Sequence, residues 1–191
     1  MPDATNDREM TIKSVCVFCA SSHRIDRKYF EAATAVGEAL AKAKLRVIFG
    51  GGRAGLMGAV ADSALRCGGE VVGILPDFMG HHEVGHQTLT EMRIVDSMEM
   101  RLGMMLAESD AFVVLPGGPG TLEELFFIIS RRKLERTRGH IVILNQDGFF
   151  DPAIAMLDRC IAEHFLDPRY RSLYSVVETA GEVVANLQPR D

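Results

Sequence analysis

Residues 115–124 read Leu-Pro-Gly-Gly-Pro-Gly-Thr-Leu-Glu-Glu, a glycine-rich turn between the apolar run Ala111 to Leu115 and a helical pattern that opens at Thr121. Backbone N–H groups in such a turn, with the positive end of the helix dipole behind them, form an anion site. Glu123 and Glu124 stand one turn inside that helix. A phosphate cradle beside paired acids points to chemistry on a phosphorylated small molecule. Thr121 and Glu124 also fit a capping box, in which the hydroxyl bonds an orphan amide and the carboxylate reaches back to the cap. Capping leaves Gly117, Gly118 and Gly120 unexplained, because that composition trades stability for exposed, positive-φ backbone. Phosphate binding is therefore the expectation.

A second glycine run, Gly50-Gly51-Gly52-Arg53-Ala54-Gly55-Leu56-Met57-Gly58, contains G-x-G-x-x-G through Gly50, Gly52 and Gly55. A dinucleotide fingerprint follows the first strand of its unit and needs an acid closing the next strand. Here the next strand closes on Ile74-Leu75-Pro76, and Asp77 follows the proline. Close approach of backbone to a ligand is the preferred account, and a tight strand–helix turn without a ligand is the alternative.

His82-Glu83-Val84-Gly85-His86 matches the zinc-protease pattern H-E-x-x-H, which works only on a helix. Gly80 and Gly85 each disfavour a helix by about 1 kcal/mol relative to Ala. The expectation is a loop that supplies Glu83 to a ligand, with no metal; a purely solvated loop is the other reading. Cys16 and Cys19 form C-x-x-C inside an apolar strand, where residues three apart point to opposite faces, so both read as buried thiols. Met92, Met98, Met100, Met104 and Met105 read as core or interface packing before they read as a pocket wall. The basic run Arg131 to Arg138 suits a helix C-terminus, where the dipole favours cations, and does not by itself imply nucleic acid.

Positioning these residues falls to an alternation of β-rich runs and helical stretches. Strands are expected at Ser14 to Ala20, Leu45 to Phe49, Glu70 to Leu75, Ala111 to Leu115, His140 to Leu144 and Tyr174 to Val177. Helices are expected near 27–44, 56–66, 97–108, 121–134 and 152–164, with one more at the C-terminus. Such alternation predicts an α/β fold, a doubly wound, mostly parallel Rossmann-like sheet flanked by helices. Ligands then sit outside the carboxyl ends of the strands, where the glycine motifs fall. The chain of 191 residues fits one domain over 14–191, and 1–13 reads as a loose polar tail without the apolar core of a signal peptide. With 47% hydrophobic and 25% charged residues and no apolar run near the roughly 20 residues of a membrane span, insertion in a bilayer is not expected. A net charge of −5 gives no overall attraction to nucleic acid or acidic membranes. A cytoplasmic location follows by default.

The motifs together resemble the lonely guy (LOG) family of cytokinin riboside 5'-monophosphate phosphoribohydrolases, many of whose relatives were once labelled lysine decarboxylases. Pro116-Gly117-Gly118-x-Gly120-Thr121-x-x-Glu124 and Gly50-Gly51-Gly52-x-x-Gly55-Leu56-Met57-Gly58 carry the resemblance. Phe18-Cys19-x-Ser21-Ser22, Gly73-Ile74-Leu75-Pro76 and Asn145-x-Asp147-Gly148-Phe149-Phe150 support it. The resemblance implies that Glu124 and Arg101 are catalytic, and that Gly117 to Thr121 hold a 5'-phosphate. It makes Glu83 and Glu123 ribose or base contacts, places Ser130 at the family's small hydroxyl position, and offers Ser21, Gly51 and Gly52 as a second phosphate or base loop. The implied reaction is hydrolysis of a nucleoside monophosphate at its N-glycosidic bond, in a homodimer, with neither cofactor nor metal. Departures fall at Leu102 (lysine in the family), Pro119 (an aromatic), Arg131 (tryptophan) and Ala20 (glycine). The loss of a cation at Leu102 would also suit a non-hydrolytic carrier of a nucleotide or of molybdenum cofactor, a role that similar folds fill.

Overall fold

The computed structural model describes residues 11–81, 84–134, 136–137 and 139–188. Most of the expected tail lies outside these residues. Seven strands form one sheet: β1 (Ser14–Phe18), β2 (Arg46–Phe49), β3 (Val71–Pro76), β4 (Glu91–Val95), β5 (Ala111–Val114), β6 (His140–Leu144) and β7 (Tyr174–Val177). Their spatial order is β4-β3-β2-β1-β5-β6-β7, and every neighbouring pair is parallel. The central strands are buried along their whole length, as their uninterrupted apolar sequences require when helices cover both faces.

Helices α1 (Arg27–Lys42), α2 (Gly55–Arg66) and α6 (Ala180–Val183) pack one face of the sheet, through Val36, Leu40, Leu56, Val60 and Val183. The other face takes α3 (Met98–Ala107), α4 (Pro119–Lys133) and α5 (Asp151–Ala162), through Met105, Leu125, Ile128 and Leu157. Cys16 belongs to the second layer and Cys19 to the first, and neither is in a disulfide. The α1–α2 contact is close because Gly37 has no side chain: a Cβ there would overlap Ser63 Oγ and the Val60 carbonyl.

Three elements differ from the expectation. Strand β4 was not expected, since Glu91-Met92-Arg93-Ile94-Val95 mixes charges with apolar residues and is largely exposed. It is the edge of the sheet, where charged side chains suit an unpaired ladder, and Arg93 bridges Glu91 and Glu108. Helix α4 starts at Pro119 rather than Thr121, with proline in the first turn, where its missing N–H costs nothing. The C-terminal helix is only one turn, held by a capping box between Thr179 and Glu182.

Among the described residues, no helix is long and apolar enough to cross a membrane.

Candidate active site

The chain order reverses between β1 and β5: β1 continues outward to β2 and β3, and β5 to β6 and β7. At such a switch point the loops leaving adjacent strands diverge to opposite faces and open a crevice. Three loops are stitched together around it. Leu115 N–H donates to the Phe18 carbonyl at 2.9 Å, Ala20 N–H to the Pro116 carbonyl at 3.3 Å, and Leu56 N–H to the Ala20 carbonyl at 2.9 Å. Gly55 makes the last link possible, with φ of +62° and space for a Cβ only 2.5 Å from the Ser21 carbonyl carbon.

The crevice is a cavity of about 290 Å³. Its polar wall comes from Ser21, Gly118, Gly120, Thr121, Glu123 and Glu124, and Arg101 enters from α3. The apolar wall comes from Phe18, Met57, Met79, Met98 and Leu102. Arg101 is only 5% exposed. Its Nη2 stands 3.8 Å from Glu124 Oε1, and its Nη1 donates to Met79 Sδ at 3.5 Å and Met98 Sδ at 3.8 Å. Its Nε is buried without a hydrogen-bond partner. A thioether is a weak acceptor and 3.8 Å is long for an ion pair, so the guanidinium keeps most of its donor capacity. A buried cation in this condition is costly until an anion or a developing negative charge meets it.

Cys16 lies beneath the same charges. Burial pushes its thiol well above the ordinary range, with Glu124 adding to the rise and Arg101 opposing it. It is a fully buried thiol outside the cavity lining and not a nucleophile.

The glycines of the 115–124 turn work differently from the expectation. None of Gly117, Gly118 and Gly120 has positive φ. Gly117 is needed for packing, since a Cβ there would overlap the Thr121 hydroxyl, and Thr121 is 4% exposed. Gly118 and Gly120 face open space and leave backbone bare at the cavity. The capping-box reading of Thr121 and Glu124 fails, because Gly118 is the cap and Thr121 is the third helical residue. Glu124 is thereby one turn in, where it meets Arg101.

Ser21 and Glu123 line the cavity, as Arg101, Glu124, Thr121, Gly118 and Gly120 do. Gly51 and Gly52 do not, and Gly50 lines it instead. Gly51 adopts φ of +79° against Ile74, Leu75 and Met92, and its carbonyl accepts from His86 N–H at 2.9 Å. Gly52 pairs with Gly85 in an isolated antiparallel bridge. These two glycines serve a backbone junction beside the site. Ser130 is exposed further along α4 and is not among the cavity residues. Glu83 and His82 lie outside the described residues.

His86 stands outside any helix, which removes the geometry a zinc motif needs. It is buried, with Nε2 3.0 Å from Asp62 Oδ1 and Nδ1 accepting from Thr88 N–H at 3.3 Å. Among the described residues, no group of three or more His, Cys, Asp or Glu could hold a metal.

The methionine wall was only partly legible. Met98 belongs to the expected cluster, whereas Met57 and Met79 come from other elements and meet it only in three dimensions. Met105 is core and Met100 is exposed.

The fold and the cavity define an α/β protein with a cavity at its topological switch point that joins a charged, glycine-bearing wall to an apolar one. Residues 57–187 match the family model described as "Possible lysine decarboxylase". A "Probable cytokinin riboside 5'-monophosphate phosphoribohydrolase" of Oryza sativa subsp. japonica is 39% identical over 176 residues, 92% of this chain and 78% of that protein. A "Cytokinin riboside 5'-monophosphate phosphoribohydrolase" of Rhodococcoides fascians is 37% identical over 179 residues, 93% and 90% of the two chains. Another so named, of Arabidopsis thaliana, is 35% identical over 176 residues, 92% and 81% of the two. Among solved structures, the molybdenum cofactor binding protein from Rippkaea orientalis superposes with a TM-score of 0.69 at 17% identity, over 92% of this chain and 95% of that one. That likeness concerns the fold. The chain belongs to the LOG family, the lysine-decarboxylase-like family of cytokinin riboside 5'-monophosphate phosphoribohydrolases.

Proposed function

We propose that this protein hydrolyses the N-glycosidic bond of adenosine 5'-monophosphates, N6-substituted or plain, to free base and ribose 5-phosphate. The observation that carries the reading is the buried, under-compensated Arg101 guanidinium beside Glu124 in the wall of a cavity rimmed by bare backbone. Cleavage of C1'–N9 passes through an oxocarbenium-like state: positive charge grows on the sugar as the bonding pair moves to N9. Glu124 stabilises that cation and takes a proton from the water whose oxygen bonds to C1'; that proton passes on to the departing base, which leaves neutral and restores the carboxylate. Arg101 meets the negative charge of the nucleotide or of the departing base, in a site where little water weakens it. The 5'-phosphate sits on the backbone of Gly117 to Thr121 at the start of α4. Glu123 contacts ribose or base, Ser21 contacts phosphate or base, and Glu83 retains the substrate role that the family resemblance gives it.

The unit is a single domain over 14–191, acts in the cytoplasm and works as a homodimer. The support for a dimer is a cleft between α3 and α4, lined by Met98, Leu102, Leu106 and Phe127 and continuous with the site through Glu123. Light scattering on the purified protein checks it.

Incubation with AMP and with isopentenyladenosine monophosphate, followed by chromatography, tests the reaction. Free base from wild type and none from Glu124→Gln is the expected result. Saturable binding with no base over hours would replace hydrolysis with a nucleotide or molybdenum-cofactor carrier role.

A further inference from the structure

The position of the Arg101 guanidinium has a cause on another element. Gly50 directly follows β2 and lines the cavity, and a Cβ on it would overlap Arg101 Nη2 and lie 3.1 Å from Arg101 Cζ and 3.3 Å from Met57 Sδ. Gly50 is not among the positive-φ glycines, so its backbone conformation alone would accept alanine. What the glycine provides is room. On the other side the guanidinium rests against the sulfurs of Met79 and Met98. Thioethers fill space and accept weakly, so they hold the cation without neutralising it.

We infer that Gly50 is a positioning residue: the space left by its missing side chain seats the Arg101 guanidinium against Glu124 and the bound nucleotide. The inference rests on the proposed hydrolysis only for its kinetic readout. The atom that a Gly50 Cβ would meet is the far end of a flexible side chain, which can swing away while the fold stays intact. Gly50→Ala is therefore a lesion of Arg101 geometry. Gly37→Ala is the contrast, because there the Cβ would overlap the Val60 carbonyl, which cannot move without separating α1 from α2.

The test compares wild type, Gly50→Ala, Arg101→Ala and the double variant in the full chain. The readouts are AMP hydrolysis, ribose 5-phosphate affinity by calorimetry, and Tm, with Gly37→Ala as the stability control. Gly50→Ala should lower kcat/KM for AMP about a hundredfold, the scale of an ångström-level misplacement of a catalytic group. It should weaken ribose 5-phosphate binding, keep its Tm near wild type, and cost nothing further on the Arg101→Ala background. Undiminished activity, losses that multiply in the double variant, or a Tm drop as large as that of Gly37→Ala would each overturn the inference. If wild type releases no base, the proposed reaction fails; the assignment of Gly50 then stands or falls on ribose 5-phosphate affinity, which must drop in Gly50→Ala and not drop further in the double variant.

Discussion

Arg101 and Glu124, from consecutive helices on the same face of the sheet, approach to 3.8 Å at the point where the strand order reverses. The distance leaves room for charge to be satisfied from a third direction. An arginine 5% exposed and bounded by two thioethers is arranged for a ligand, because a structural arginine at that depth would be held by closer carboxylates or carbonyls.

That arrangement predicts an exchange of stability for activity. In the double variant Arg101→Met with Glu124→Gln, the two charges of the ion pair are removed together and volume is roughly kept. Its denaturation midpoint should equal or exceed that of wild type, since replacing buried ion pairs with uncharged residues is often neutral or stabilising by about 1–4 kcal/mol. Base release should be lost. A clearly lower midpoint would mean that the pair supports the fold.

The glycines of the 115–124 turn should separate by stability. Gly117→Ala forces a methyl group into the Thr121 hydroxyl and should cost about 1–3 kcal/mol, the usual range for overpacking. Gly120→Ala meets open space and should leave the unfolding free energy from urea titration within about 0.5 kcal/mol of wild type. If both variants lose the same stability, Gly117 is not the packing position it is taken to be.

How much of this was legible in the sequence depends on whether the cause was local. Continuous apolar runs such as Ile141 to Leu144 specified buried strands, and the alternation with amphipathic helices specified the doubly wound sheet. Strand β4 escaped because an edge strand needs neither continuous hydrophobicity nor clean alternation. Glu124 and Arg101 were visible as motif positions, but their shared cavity was not. Gly50 reads in the sequence as one of three equivalent glycines, and its role is set by the approach of a side chain from α3, which no local pattern records. The bare backbone at Gly118 and Gly120 was anticipated, with the wrong dihedral reason attached.

Acid should weaken the fold through a residue remote from the cavity. His140 begins β6, is 3% exposed, places Nε2 2.8 Å from Ser175 Oγ, and has a buried Nδ1 with no partner. Burial, reinforced by the Arg132 charge, pulls its pKa from 6.5 down to about 4. Between these values the unfolded chain takes up a proton that the folded chain refuses, so stability falls as pH drops from 6.5 toward 4 and this contribution then levels off. Urea midpoints across that window should decline with acidification, and His140→Gln should flatten the slope. An identical slope in the variant would assign the acid sensitivity to other groups.

Leu102 is 8% exposed and lines the cavity, in which Arg101 is the one cation among the described lining residues. Leu102→Lys should therefore strengthen AMP binding in a salt-dependent way, since an added cation attracts the nucleotide phosphate and is screened by ions. Calorimetry at low and high salt checks this. Unchanged affinity at low salt would mean that position 102 does not face the phosphate.

The most direct measurement is the yield of adenine and ribose 5-phosphate from AMP, quantified for wild type and Glu124→Gln under the same conditions. Equal amounts of both products from wild type, with a loss of at least about a hundredfold in Glu124→Gln, is the predicted result for a residue acting in proton transfer. No adenine from wild type, or undiminished adenine from Glu124→Gln, would contradict the account.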